Sequence, residues 1–187
     1  MSTFQERIDW LEKCREFHGH LCMGQALGAR VGIKGMELIA PDGPKDHIVF
    51  VENDRCVADA VLVVSNTRVG RRSLKLRDYG RMAATFWNTK TNQAWRVRAA
   101  YDGPKPEGGE DAIRDLMNLP DEAMVAWQQV TIELPDWDMP GHPKRIVECS
   151  VCGEKVFDSK DVEGPAGPVC KACAHSAYYG VFGSDHA

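Results

Sequence analysis

The sequence predicts an α+β or α/β core followed by a small domain built around a metal ion. Three observations predict this. Helical and extended apolar periods interleave along the first 135 residues. Pro135, Pro140 and Pro143 then crowd a short stretch. Beyond them stand two cysteine pairs, Cys149-x2-Cys152 and Cys170-x2-Cys173. The organisation read from this is a core at 1–135, a linker at 136–143, and a zinc-finger domain with its tail at 144–187.

The elements follow in order. Residues 3–17 predict an amphipathic helix, with Phe4, Ile8, Leu11 and Cys14 along one stripe. Cys14 reads as core, because a free cysteine packs as a small hydrophobe. His18-Gly19-His20 breaks the helix, and a second covers residues 22–38. Gly24, Gly28, Gly32 and Gly35 lie nearly on one face of it. Each glycine costs about 1 kcal/mol in a helix interior, so the stripe points to close approach of another backbone.

Pro41-Asp42-Gly43-Pro44 ends that unit, and His47–Val51 reads as a buried strand. Residues 56–66 read as a helix, although their valines also suit a strand. Met82–Asn88 and Ala94–Ala100 predict two strands joined near Thr91-Asn92. In the second, Trp95, Val97 and Ala99 alternate with Arg96 and Arg98, giving one buried and one wet face. A loop at 102–109, a helix at 110–117, a turn at 120–124 and a strand at 125–134 complete the core.

The chain has 187 residues, 43% of them hydrophobic and 27% charged, which suits a globular protein with one core and a small appendage. No apolar run is long enough to cross a bilayer, and the first residues carry no secretory pattern. The expected address is the cytoplasm. Thiols stay reduced there, so the seven cysteines read as ligands or reactive groups. Charge is uneven. Residues 68–98 hold nine basic side chains and one acid, Asp78, and carry +8 while the rest carries −12. Such a stretch favours an anionic ligand or acidic partner, and equally suits a solvated face.

The four-cysteine segment is the most specific signal. Each Cys-x2-Cys pair can grip one ion from a tight turn, and two pairs give the tetrahedral sulfur set that suits zinc. An iron centre of rubredoxin type uses the same ligands. Basic and acidic residues balance between Lys144 and His175, five of each. The positive footprint of nucleic-acid-binding modules is missing, which favours a structural or protein-contact role.

A second constellation lies at Phe17-His18-Gly19-His20-Leu21-Cys22-Met23-Gly24. Two imidazoles and a thiol sit together where a helix begins, and a helix N-terminus favours a thiolate. The same set suits a metal or a nucleophile–base pair, and also a purely structural turn. Cys56 follows a predicted strand and opens a helix, at the strand end where ligands commonly bind.

These segments resemble the FmdE family, named for its association with formylmethanofuran dehydrogenase. The resemblance rests on His18-Gly19-His20-Leu21-Cys22 with Gly28-Ala29-Arg30, on Glu52-Asn53-Asp54-Arg55-Cys56-Val57-Ala58-Asp59-Ala60, and on Asp78-Tyr79-Gly80-Arg81-Met82-Ala83. It covers roughly residues 10–135, and the final module resembles the treble-clef zinc finger that many members append. The resemblance implies a thioredoxin-like α+β core, a mixed sheet flanked by helices, in a homodimer. It also implies a site at His18, His20, Cys22 and Cys56, with Asp59 nearby. These residues would be catalytic, or His20 and Cys22 would hold a second metal beside the finger's zinc at Cys149, Cys152, Cys170 and Cys173. The expected partners are components of molybdenum or tungsten enzymes, or an anionic small molecule, with neither nucleic acid nor membrane.

Two departures bear on that site. Met23 stands where the family commonly has proline. Thr67, in Ser65-Asn66-Thr67-Arg68-Val69-Gly70, stands where many members carry a cysteine. That would remove one soft ligand or resolving thiol, and would place Arg68 beside the site as an anion-binding group. The competing reading is a non-catalytic adaptor that binds a partner through the core and extends the contact with a structural zinc finger. A nucleic-acid-binding regulator is disfavoured by the neutral finger.

Overall fold

The computed structural model describes residues 2–180, and the end of the expected tail lies outside them. The chain divides into two compact units, Met1–Glu133 and Leu134–Ala187.

The first unit begins with α1 (Phe4–His18) and α2 (Met23–Ile39). Thr3 caps α1 through a box in which it accepts from the Glu6 amide and Glu6 reaches back to the Thr3 amide. The chain continues through β1 (His47–Val51), α3 (Cys56–Ser65), β2 (Leu74–Leu76), β3 (Ala83–Asn88) and β4 (Ala94–Ala99). Then come α4 (Gly109–Asp115), a 3₁₀ turn, α5 (Asp121–Met124) and β5 (Val125–Val130).

The five strands form one mixed sheet in the order β2-β1-β3-β4-β5. Only β1 and β2 are parallel, and α3 makes the crossover between them. The remaining neighbours pair antiparallel, Val49 opposite Phe86 and Phe86 opposite Trp95. Because strand side chains alternate, Val49, Val51, Ala84, Phe86 and Val97 share the face that α2 covers. α1 and α3 pack in turn on α2. The fold is therefore α+β, a mixed sheet flanked by helices.

The predicted strand at 125–134 stops at Val130, which pairs with the first residue of β4 and has no partner strand beyond it. β2 gives no periodic signal in the sequence. Its three residues lie inside the basic stretch and are too few for a period to register. The predicted helix at 110–117 tightens to a 3₁₀ turn from Leu116.

Glycine sets how closely the helices pack. A Cβ built on Gly28 would lie 2.7 Å from Ala60 Cβ and 2.8 Å from Val57 Cα, and one on Gly32 would lie 2.9 Å from Val64 Cβ. One on Gly35 would enter the Phe86 ring. Gly24 meets Cys56, Gly28 meets Ala60 and Gly32 meets Val64. That constant offset makes α2 and α3 run parallel, with their N-termini side by side.

Charged anchors tie the loops to this layer. Arg30 is 1% exposed. It donates to the Met117 and Leu119 carbonyls and pairs with Asp121 at 2.7 Å, and Lys34 meets the other Asp121 oxygen at 2.9 Å. Burial alone would raise the Asp121 carboxyl, but the hydrogen bonds from Lys34 and Arg30 outweigh it and hold the pKa below its ordinary value. At the far edge Glu52 receives a two-pronged bond from Arg96, at 2.7 and 2.8 Å, and another from Arg81 at 2.8 Å. Two of the signature segments, Glu52–Ala60 and Asp78–Ala83, thus meet at the end of β1.

The second unit contains two hairpins, β6 (Ile146–Glu148) with β7 (Lys155–Phe157) and β8 (Asp161–Gly164) with β9 (Gly167–Cys170). A single helical turn, α6 (Lys171–Ala174), follows. No helix among the described residues is long and apolar enough to cross a membrane.

Candidate metal centres

The core centre starts from one glycine. Gly19 takes φ +90°, a left-handed conformation that closes α1 through its amide to the Arg15 carbonyl. The reversal brings His18 and His20 together, with ring centroids 4.6 Å apart. Cys22 then caps α2 in extended conformation, its carbonyl accepting from the Gln25 and Ala26 amides. One ligand atom each from His18, His20 and Cys22 falls within 4.8 Å of the others.

The imidazole of His18 is already oriented. Its Nδ1 lies 2.8 Å from Asp59 Oδ2, on the first turns of α3. With Nδ1 donating to the carboxylate, the neutral form of the ring carries its lone pair on Nε2. That Nε2 atom is buried and has no hydrogen-bond partner. A carboxylate holding one ring nitrogen while the other is free is the arrangement that prepares histidine for a metal.

Cys56 reaches the same place from the other helix. A side chain on Gly24 would lie 3.5 Å from Cys56 Sγ and 3.7 Å from Cys22 Sγ, so the two thiols share the space that glycine leaves open. Both stand at helix N-termini, where the dipole favours negative charge. Burial raises the Cys56 thiol above its ordinary pKa, and hydrogen bonding and charge from Cys22 raise it further. The structure therefore brings His18, His20, Cys22, Cys56 and Asp59 together. The donor set, two imidazoles and a thiol with a second thiol beside it, fits a borderline divalent ion.

Gln25 belongs to the site without carrying a motif in the sequence. It is fully buried, and its amide donates to the Cys56 carbonyl at 2.9 Å, fixing the start of α3. The available signal was a polar residue on the glycine stripe, three positions before Gly28.

Other positions singled out in the sequence stand apart from the site. Cys14 is buried in the core with its thiol on the Ala60 carbonyl at 3.7 Å. Burial, with the Asp59 charge, pushes that thiol up to about 12. Thr67 and Arg68 lie past the C-terminal end of α3, whereas Cys56 opens it. The ten-residue helix, roughly 15 Å long, separates them. Thr67 is fully buried and bonds to the Ser65 hydroxyl at 2.7 Å. A cysteine at 67 would not join Cys22 and Cys56, so its replacement removes nothing from the site. The Arg68 guanidinium turns to the Thr67 carbonyl at 2.7 Å and lines a groove with Trp10 and Phe17, not the thiol site.

In the second unit the four sulfurs of Cys149, Cys152, Cys170 and Cys173 also converge within 4.8 Å. The Cys170 amide donates to Cys149 Sγ at 3.3 Å, and the Cys173 amide to Cys170 Sγ at 3.4 Å. Gly153, at φ +76°, closes the first knuckle with its amide on the Cys149 carbonyl. Amides from Cys170, Cys152 and Val151 draw the Cys149 thiol down to about 6. One sulfur is thus poised as a thiolate before any ion arrives, and the set fits a metal ion.

Residues 17–126 match FmdE, described as "Molybdenum formylmethanofuran dehydrogenase operon". The chain belongs to the FmdE family. That family is associated with formylmethanofuran dehydrogenase, a molybdenum or tungsten enzyme system. Among solved structures, a protein of Syntrophus aciditrophicus described as tungsten formylmethanofuran dehydrogenase FmdE-like superimposes with a TM-score of 0.65. It is 19% identical, and the match covers 92% of this chain and 94% of that one. A probable S-adenosyl-L-methionine-binding protein of Archaeoglobus fulgidus is 25% identical over 205 residues. The match takes in 92% of this chain but 54% of that protein, so this FmdE chain spans about half the length of the curated relative.

Proposed function

We propose that this FmdE protein is a two-centre metal protein serving a molybdenum or tungsten enzyme system of the formylmethanofuran dehydrogenase type. His18, His20 and Cys22 hold a borderline divalent ion such as zinc, with Cys56 beside them as a further ligand or reactive thiol. Cys149, Cys152, Cys170 and Cys173 hold a structural zinc. The observation that carries the core centre is the His18 ring, fixed by Asp59 with its Nε2 buried and unpartnered beside His20 and Cys22.

The core ion would act as a Lewis acid toward an anionic or carbonyl-bearing ligand. The chain's own contributions are orientation and charge. Asp59 fixes His18, Gln25 fixes the start of α3, and the N-termini of α2 and α3 direct positive dipole ends at the site. An anionic ligand would meet those helix ends and not Arg68. The family resemblance also implies a homodimer, which sedimentation of the purified chain tests, and the reduced thiols that both centres need suit the cytoplasm.

Elemental analysis tests the proposal. The intact chain should carry two metal equivalents, and Cys22→Ser should carry one. One equivalent in both would leave only the four-cysteine centre and refute the core site.

A further inference from the structure

We propose that Cys22 and Cys56 form a redox-active dithiol that closes to an intramolecular disulfide by exchange with a small-molecule disulfide. Three observations carry it. The two sulfurs lie within 3.7 Å of one point, the place where a Gly24 side chain would be. The backbone there is held from both sides, since Gly24, Gly28 and Gly32 lock α2 to α3 and Gln25 grips the Cys56 carbonyl. Both thiols are partly solvent-accessible, whereas Cys14 is fully buried.

Oxidised glutathione serves as the small disulfide. The first protein thiolate attacks one of its sulfurs, forms a mixed disulfide and releases one glutathione thiolate. The second cysteine, as thiolate, attacks the protein sulfur of that mixed disulfide and displaces the second glutathione. The protein dithiol gives up two electrons and two protons. The electrons reduce the small disulfide to two thiols, and the protons pass to those thiols through solvent. The closed form has no thiolate at Cys22 to bind an ion. This consequence rests on the proposed metal centre, whereas the disulfide itself does not.

The test uses the full chain freed of metal by chelation, because an ion held at Cys22 would shield that thiol, and the four cysteines of the second unit fall in other tryptic fragments. After exposure to oxidised glutathione, free thiols are blocked with iodoacetamide and the chain is cut with trypsin. Cys22 then lies in fragment 16–30 and Cys56 in fragment 56–68, while Cys14 falls in a separate fragment. The wild-type chain should yield fragments 16–30 and 56–68 joined, with the joined species reverting on reduction. Cys56→Ser should instead accumulate glutathione on fragment 16–30. Persistent glutathione on wild-type Cys22 without the joined species, or a Cys22 linkage to any other cysteine, overturns the proposal. The joined fragments are read by mass whether or not an ion binds. Metal content of the reduced chain is measured in parallel, so the dithiol and the metal centre can fail independently.

Discussion

Replacing Gly28 with alanine should push α2 and α3 apart and loosen the core centre without touching any of its ligands. The new Cβ would sit 2.7 Å from Ala60 Cβ, 2.8 Å from Val57 Cα and 3.0 Å from the Val57 carbonyl. Two of those atoms are backbone and cannot swing away, so the helices must separate by about 1 Å to restore carbon contacts near 3.5–4.0 Å. Overpacking of this kind costs about 1–3 kcal/mol, and a backbone clash belongs at the upper end. Alanine returns up to about 1 kcal/mol in helix propensity. The net loss should be about 2 kcal/mol. Urea unfolding followed by tryptophan fluorescence reads it, since Trp10, Trp87, Trp95 and Trp127 all lie in the first unit. Gly70→Ala is the control, because nothing lies within 4 Å of a Cβ built there. That change should be neutral or stabilising by up to about 1 kcal/mol. If Gly28→Ala proved as stable as the parent, the close approach of α2 and α3 would not be what the glycine stripe serves.

The remaining predictions concern charge and metal. Asp121→Asn leaves the buried Arg30 guanidinium facing a neutral partner and should cost about 3–5 kcal/mol, measured by the same unfolding assay. Because the folded Asp121 carboxyl titrates below its ordinary value, its stabilising effect is complete above the unfolded pKa near about 3.9 and fades as pH falls through the lower folded one. The parent should therefore lose stability more steeply than Asp121→Asn on acidification below about pH 4. Asp59→Ala removes the carboxylate behind His18 and should weaken core metal binding by about 10–100-fold in competition with a chromophoric chelator, with the circular dichroism unchanged. Chelation should unfold the second unit and spare the first. Structural zinc contributes about 10–16 kcal/mol in small peptides, far more than two short hairpins supply. Amide exchange over 146–174 against that of β3 and β4 distinguishes the two units.

Local signals were enough for much of this protein. Phe4–His18 shows in the sequence because Leu11 and Cys14 recur at helical spacing, Ala94–Ala99 because buried Val97 is followed by exposed Arg98, and His47–Val51 as a short run buried at every position. The paired spacing of Cys149, Cys152, Cys170 and Cys173 announces a metal cluster because neighbouring ligands in one turn are close before any tertiary fold forms. His18, His20 and Cys22 likewise lie close together in the chain around Gly19.

Tertiary packing decided the rest. That Cys56 joins Cys22, and that the Asp59 carboxylate reaches His18, depends on two parallel helices meeting at Gly24, Gly28 and Gly32. That Thr67 and Arg68 stand aside depends on the length and direction of α3, which places them at its opposite end. Sequence states which groups exist and which lie in the same turn. Distances between segments far apart in the chain follow from how closely two backbones can approach, and here glycine faces against Val57, Ala60 and Val64 set that limit.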